Sequence, residues 1–112
     1  MMEPNNSFHC DVETSPDDQY GNKVKTIKSH GRLVSDTAGE LKELVKPLIP
    51  LGGRIVLDFS DVNYLDSSGL GALVGLKATA IKQGLCRLEL VNMIPRIVEL
   101  LRLTSLTNMF SS

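Results

Sequence analysis

Two adjacent hydroxyls, Ser67 and Ser68, stand between a carboxylate, Asp66, and Gly69 at the start of an apolar helical stripe. Residues of these types in this order support three kinds of chemistry. The plainest is local. Serine is favoured at a helix N-cap, where its side-chain oxygen accepts an otherwise unpartnered backbone N–H, so one of the pair can serve the fold alone. The second is nucleophilic catalysis by a serine on a tight turn before a helix, as in the G-x-S-x-G elbow. Here Leu65 lies two residues before Ser67 and Asp66 two before Ser68, so that glycine pattern fails. The histidines available as a base, His9 and His30, fall in a separate N-terminal segment. The third is a phosphate cradle made by Gly69, Gly71 and Gly75, with Glu89 further along the chain. A dinucleotide fingerprint needs its glycines directly after a strand. A polar connection, Ser60 to Asp66, is expected to intervene after Phe59, and Glu89 falls inside its own strand. Gly71 and Gly75 read instead as small residues that let a helix lie close to a sheet. The chain is therefore expected not to be an enzyme.

The elements that must hold these residues follow from hydrophobic periodicity. Residues 1–7 are polar, with Pro4 and two asparagines, and are expected to form a flexible tail ahead of one domain over 8–112. Phe8, Cys10 and Val12 alternate with His9, Asp11 and Glu13, the pattern of a half-buried strand. Turn residues fill Thr14 to Asn22. Val24 to Lys28 makes a second strand, paired with the first as a hairpin and ended by His30–Gly31. A helix is expected from about Ser35, with Thr37 and Glu40 at capping-box spacing and a stripe of Ala38, Leu41, Leu44, Val45 and Leu48. Pro47, Pro50 and the Gly52–Gly53 pair break it.

Arg54 to Phe59 is the most strand-like segment. From Ser67 onward Leu70, Leu73, Val74, Leu76, Lys77, Ala80 and Ile81 read as a helix stopped by Gly84. Arg87 to Val91 is a further strand. Asn92 is placed to cap a last helix carrying Ile94, Ile97, Val98 and Leu101, with Pro95 in its first turn. Leu106 to Phe110 suits a short final strand. The order β-β-α-β-α-β-α predicts a single α/β domain: a central mixed, mostly parallel sheet with an N-terminal β-hairpin, packed helices and right-handed crossovers.

Composition bounds the function. The chain has 112 residues, enough for one domain, and 42% are apolar. Tryptophan is absent and aromatics make up 4%, so the core must be mostly aliphatic. Twelve basic and thirteen acidic residues leave a net charge of −1, which argues against a nucleic-acid surface. Cys10 and Cys86 are far apart with no CxxC spacing, and with His9 and His30 they do not make the close four-ligand pattern of a structural zinc site. Both cysteines are expected to be ordinary reduced residues, with no metal and no cofactor. The opening MMEPNNSFHC lacks the plan of a secretory signal, and no apolar run approaches the ~20 residues needed to span a bilayer. A cytoplasmic protein is expected.

LDSSGLGAL, Leu65 to Leu73, resembles the central loop of bacterial anti-sigma factor antagonists, the stand-alone members of the STAS family. IVLDFSDVNYLD before it is similar to that family's apolar strand, acidic turn and aromatic residue two before the Asp. Gly31 to Leu33 before a helix, and Pro95 to Leu101 followed by Leu106 and Phe110, extend the resemblance from Phe8 to Phe110. The resemblance implies a STAS-like fold and a switch. The serine directly after the Asp, Ser67, would be phosphorylated by an anti-sigma factor that is a serine kinase, with Ser68 the second candidate. Unmodified, the protein would bind that kinase and free a sigma factor; phosphorylated, it would let go until a serine phosphatase restores it. Asp66, Ser67, Ser68, Gly69, Leu70 and Asp36 would form the partner-binding surface. Leu73 is set between that surface and the core.

Asp66 is expected to position the loop, and Gly69 to permit the turn into the helix. After Gly31–Leu33 many members carry an Asp, where this sequence has Val34, with Asp36 two residues on. A homodimer stays open. So do two other roles of such domains, an accessory subunit of a lipid- or anion-transport complex and a scaffold in a stress-sensing assembly.

Overall fold

The structure, a computed structural model, describes residues 8–15 and 23–106. The expected tail at 1–7, most of the turn up to Asn22 and the final strand after Leu106 lie outside the described residues. Four strands form one sheet in the order β1-β2-β3-β4: β1 (Phe8–Ser15), β2 (Val24–Leu33), β3 (Gly53–Leu65) and β4 (Cys86–Val91). β1 runs antiparallel to β2, and β2, β3 and β4 are parallel to one another. The helices α1 (Ala38–Val45), α2 (Ser67–Gln83) and α3 (Pro95–Leu103) supply the crossovers and share one core with the sheet. This is the α/β architecture that alternating periodicity predicts.

The core is aliphatic apart from Phe59. Ile27, Ile55, Leu57, Leu73 and Leu88 are buried to within 1% of their surface and join the sheet to α2. Burying one such side chain stabilises by about 1.5–3 kcal/mol, so these few contribute much of what holds helix to sheet. Lys77 also lies under this layer, and its Nζ donates to the Leu88 carbonyl at 2.6 Å. A buried ammonium without such an acceptor would be costly. Cys10 and Cys86 are free, half-buried strand residues, and burial pushes both thiols up.

Several boundaries differ from the sequence expectation, each for a physical reason. β1 keeps Phe8 and Cys10 against the core, but Val12 is exposed, because β1 is the edge of the sheet. β2 does not stop at His30–Gly31; Gly31 takes φ 108° and the strand continues to Leu33. Thr37 and Glu40 do not form a capping box. The Thr37 hydroxyl instead donates to the Arg32 carbonyl at 2.6 Å and accepts from the Val34 N–H at 2.9 Å, which ties α1 back to β2. Pro47 and Pro50 fall in a 3-10 turn, Lys46–Leu51, that follows α1 directly. Asn92 does not cap α3; it takes φ 57°, and the helix starts at Pro95 after Ile94.

The largest difference is β3, which does not end at Phe59. Ser60 to Leu65 is strand, not a connection. Against β2, Lys28 pairs with Asp58 but His30 with Asp61, and Gly31 pairs with Val62 but Arg32 with Tyr64. β3 therefore carries one extra residue at each of two bulges. Its buried positions change from every second residue to every third: Phe59, Val62, Leu65. A polar segment with that spacing does not look like a strand.

Candidate functional site

The bulged end of β3 delivers buried Leu65 to the core and turns the chain at Asp66, which is extended (φ −104°, ψ −173°) and forms the N-cap of α2. All of its polar groups are used. Oδ1 accepts from the Gly69 N–H at 3.0 Å, and Oδ2 accepts from the Ser35 N–H at 3.3 Å. Its own N–H donates to the Leu33 carbonyl at 3.3 Å, and its carbonyl accepts from the Leu70 N–H at 2.9 Å. One carboxylate thus caps α2 and fastens it to the loop that follows β2. The cap is the aspartate, not a serine.

That assignment frees the hydroxyls. Ser67 and Ser68 occupy the first two positions of α2, both exposed, and neither side chain has a hydrogen-bond partner among the described residues. Gly69, one residue on, is buried. A Cβ there would stand 2.2 Å from the Leu33 carbonyl oxygen and 2.7 Å from Leu65 Cδ1. Its lack of a side chain is needed for close approach of α2 to the end of β2, rather than for a turn. Gly71 and Gly75 do the opposite of what their spacing suggests. Both are exposed, and a Cβ at either would meet nothing within 4 Å.

The remaining site residues fall at graded depths. Leu70 is half-buried and packs on the core, while Leu73 is fully buried and belongs to it. Asp36 is exposed in the loop between β2 and α1, beside Ser35, which Asp66 anchors. The structure therefore brings the Asp36 loop next to the serine pair. Val34 is 5% exposed, an apolar plug under the same loop.

Two residues that sequence reasoning left out stand on the rim. Arg32 and Tyr64 are register partners, with the guanidinium 4.5 Å from the ring centroid. Only strand pairing brings them together, so no local pattern announces them. Tyr64 and Leu65 also open a groove of about 450 Å3 against α3, lined further by Arg96, Ile97, Leu100 and Leu103.

The enzymatic alternatives find no support in this geometry. The rings of His9 and His30 stack with centroids 4.5 Å apart on β1 and β2, and His30 binds Asp61 and Asp11 through its two nitrogens. Because β3 runs on to Leu65, no connection separates the strand from the glycines, and that objection to a dinucleotide site falls. Another takes its place. Glu89 is held by Arg54 of the neighbouring strand, which keeps its carboxyl below the usual range, and Asp66 already occupies the Gly69 N–H. No helix among the described residues is long and apolar enough to cross a membrane.

A family model described as "Mlab, STAS domain" matches residues 20–111. The anti-sigma-B factor antagonist of Bacillus subtilis (strain 168) is 37% identical over 70 residues, which is 62% of this chain and 63% of that protein. The protein of the same name from Staphylococcus aureus (strain NCTC 8325 / PS 47) is 31% identical over 103 residues, 91% of each chain. Both names are regulatory rather than enzymatic. Among solved structures, the anti-sigma factor antagonist SpoIIAA in its unphosphorylated form matches with a TM-score of 0.69 and 18% identity, over 90% of this chain and 84% of that one. SpoIIAA of Bacillus in its phosphorylated form matches with a TM-score of 0.64 and 19% identity, over 92% and 87%. At these identities the two structures speak for the fold.

Proposed function

The chain belongs to the STAS domain family, and on that premise we propose that it is a cytoplasmic anti-sigma factor antagonist switched by phosphorylation of Ser67. The observation that carries this reading is the division of labour at the start of α2. Asp66 does the capping, so the exposed hydroxyl of Ser67 has no structural duty among the described residues and is open to a kinase. Names of the relatives supply the pathway, and SpoIIAA has been solved both with and without phosphate.

The physics of the switch follows from position. Phosphate adds about −1.5 to −2 charges to a neutral side chain. At the N-terminus of a 17-residue helix that charge meets the positive end of the dipole, so the fold tolerates it. A partner surface does not, because the dianion sits beside the Asp66 carboxylate and must be desolvated on docking. A penalty of about 3 kcal/mol weakens binding roughly a hundredfold. Asp36 adds a further negative charge on the adjoining loop, so the surface that contacts the kinase in this reading is Asp36, Asp66–Gly69 and Leu70.

Ser68 is equally exposed, and the sequence likeness alone prefers Ser67. The test is to incubate the protein with a kinase-type anti-sigma factor encoded in the same genome and ATP, and to map the phosphate by mass spectrometry. Modification of Ser67 is expected. Ser67→Ala should hold the kinase in the presence of ATP, and Ser67→Asp should weaken binding at least about tenfold. Phosphate on another residue, with Ser67→Asp binding as tightly as wild type, would overturn the assignment. Binding to no such kinase, with capture of a membrane ATPase or permease instead, would favour the transport-accessory reading.

A further inference from the structure

On the outward face of the hairpin, three side chains with metal-ligating atoms are gathered by strand register. His9 lies directly opposite His30 in the antiparallel β1–β2 pair, and Asp11 is two residues along β1 on the same face. The parallel β2–β3 pair sets Asp61 opposite His30. We propose that His9, Asp11 and His30 bind one divalent transition-metal ion of the zinc or nickel class through His9 Nε2, an Asp11 carboxylate oxygen and His30 Nε2, with Asp61 orienting His30 from behind. The site owes nothing to the serine switch and stands whether or not that reading holds.

The distances suit an ion. The three ligand atoms all lie within 4.8 Å of one another; Asp11 Oδ2 is 3.1 Å from His30 Nε2 and 4.0 Å from His9 Nε2. Around a tetrahedral ion with bonds of about 2.0–2.1 Å, neighbouring ligand atoms stand about 3.3 Å apart. His30 is already placed. His9, with 68% of its side chain exposed, must turn out of its stack on His30, and nothing buried opposes that rotation. Three protein ligands leave one position to water, the arrangement of an open site.

The second sphere is the more telling feature. Nδ1 of His30 lies 2.7 Å from Asp61 Oδ2. A metal-bound histidine characteristically donates its other N–H to a carboxylate, which fixes the ring and raises its basicity. With Nδ1–H given to Asp61, an ion takes the place of the proton that Nε2 shares with Asp11, and that proton passes to solvent. One Asp11 carboxylate and two neutral imidazoles at the ion, with Asp61 behind, balance a divalent charge. Lys28, the register partner of Asp11, is drawn aside by Glu13 at 3.4 Å and does not occupy the site.

Titration calorimetry with zinc and with nickel chloride at about pH 8, where imidazoles are neutral, tests this on the whole chain. One ion per chain is expected, with a matching rise in melting temperature. His9→Ala and His30→Ala should each weaken binding at least about tenfold, and Asp61→Asn, which removes no ligand, about 10–100-fold. All four side chains of the cluster are at least partly exposed, so these variants keep the fold; circular dichroism checks it. A double Cys10→Ser, Cys86→Ser variant should bind as wild type does. Absence of binding, binding indifferent to His9→Ala and His30→Ala together, or loss of binding in the cysteine variant would each overturn the proposal, leaving a plain ion-pair cluster in the first case.

Discussion

The two ends of α2 each carry a glycine, for opposite reasons. Gly69 has ordinary helical backbone and no room: a Cβ would strike the Leu33 carbonyl and Leu65. Gly84 has open space around it and a left-handed backbone, φ 71° and ψ 8°, from which its N–H donates to the Ala80 carbonyl at 3.1 Å. The C-terminal end is closed by the helix itself. The N-terminal end is closed by the rest of the domain, through Asp66, Ser35 and Leu33. A site whose geometry must survive modification is better placed at the second kind of end, where neighbouring elements hold the backbone independently of the side chains that change.

Substitutions can break this contrast, and the largest effect is expected at Gly69. Gly69→Ala should destabilise the protein by at least about 1–3 kcal/mol in urea denaturation, as overpacking against fixed backbone does. Gly71→Ala, in the same helix with open surroundings, should instead stabilise by about 0.4–1 kcal/mol. Equal effects at the two glycines would show that α2 does not approach β2 as closely as described.

A middle-sized effect is expected at Asp66. Asp66→Ala removes the cap and the tie to Ser35 together and should cost about 1–2 kcal/mol, whereas Ser67→Ala and Ser68→Ala should stay within about 0.5 kcal/mol. Asp66→Asn keeps one oxygen to cap Gly69 and should recover part of the loss. If Ser67→Ala proved as damaging as Asp66→Ala, the serine would be part of the scaffold and a poor switch.

The smallest effect belongs to the self-contained end. Gly84→Ala should cost about 1 kcal/mol from its left-handed backbone alone. It should leave phosphoryl transfer to Ser67 unchanged, measured as initial rate at equal enzyme concentration. A slowed transfer would mean that strain at one end of the helix reaches the other.

Much of this molecule was legible in its sequence, and the failures have identifiable causes. Helical stripes such as Leu70, Leu73, Leu76, Lys77 and Ala80 fixed α2 because the core reads every third or fourth residue, and Gly84 stopped it as its type suggests. The serine pair and its aspartate were found for the same reason: they interrupt that stripe with polar groups at its entrance. What stayed hidden depended on pairing between distant segments. Asp66 as cap, Thr37 turned back to Arg32, Gly69 against Leu33 and the Arg32–Tyr64 contact all need β2 beside β3. The gathering of His9, Asp11, His30 and Asp61 needs β1 there as well. Gly71 and Gly75 misled because small residues at i, i+4 suggest close packing wherever they occur, and nothing local says which face of the helix they are on.

The twin bulges of β3 have a consequence for how this segment tolerates insertion and deletion. One added residue would reverse the facing of everything after it; two restore parity, so that Leu65 again points inward opposite Leu33. The pair works like a vernier, advancing one strand by two residues over the same length of its neighbour. A single-residue deletion between Ser60 and Tyr64 would turn Leu65 toward water. Asp66 would then miss both Gly69 and Ser35, and the switch would be unset by a change that touches none of its atoms.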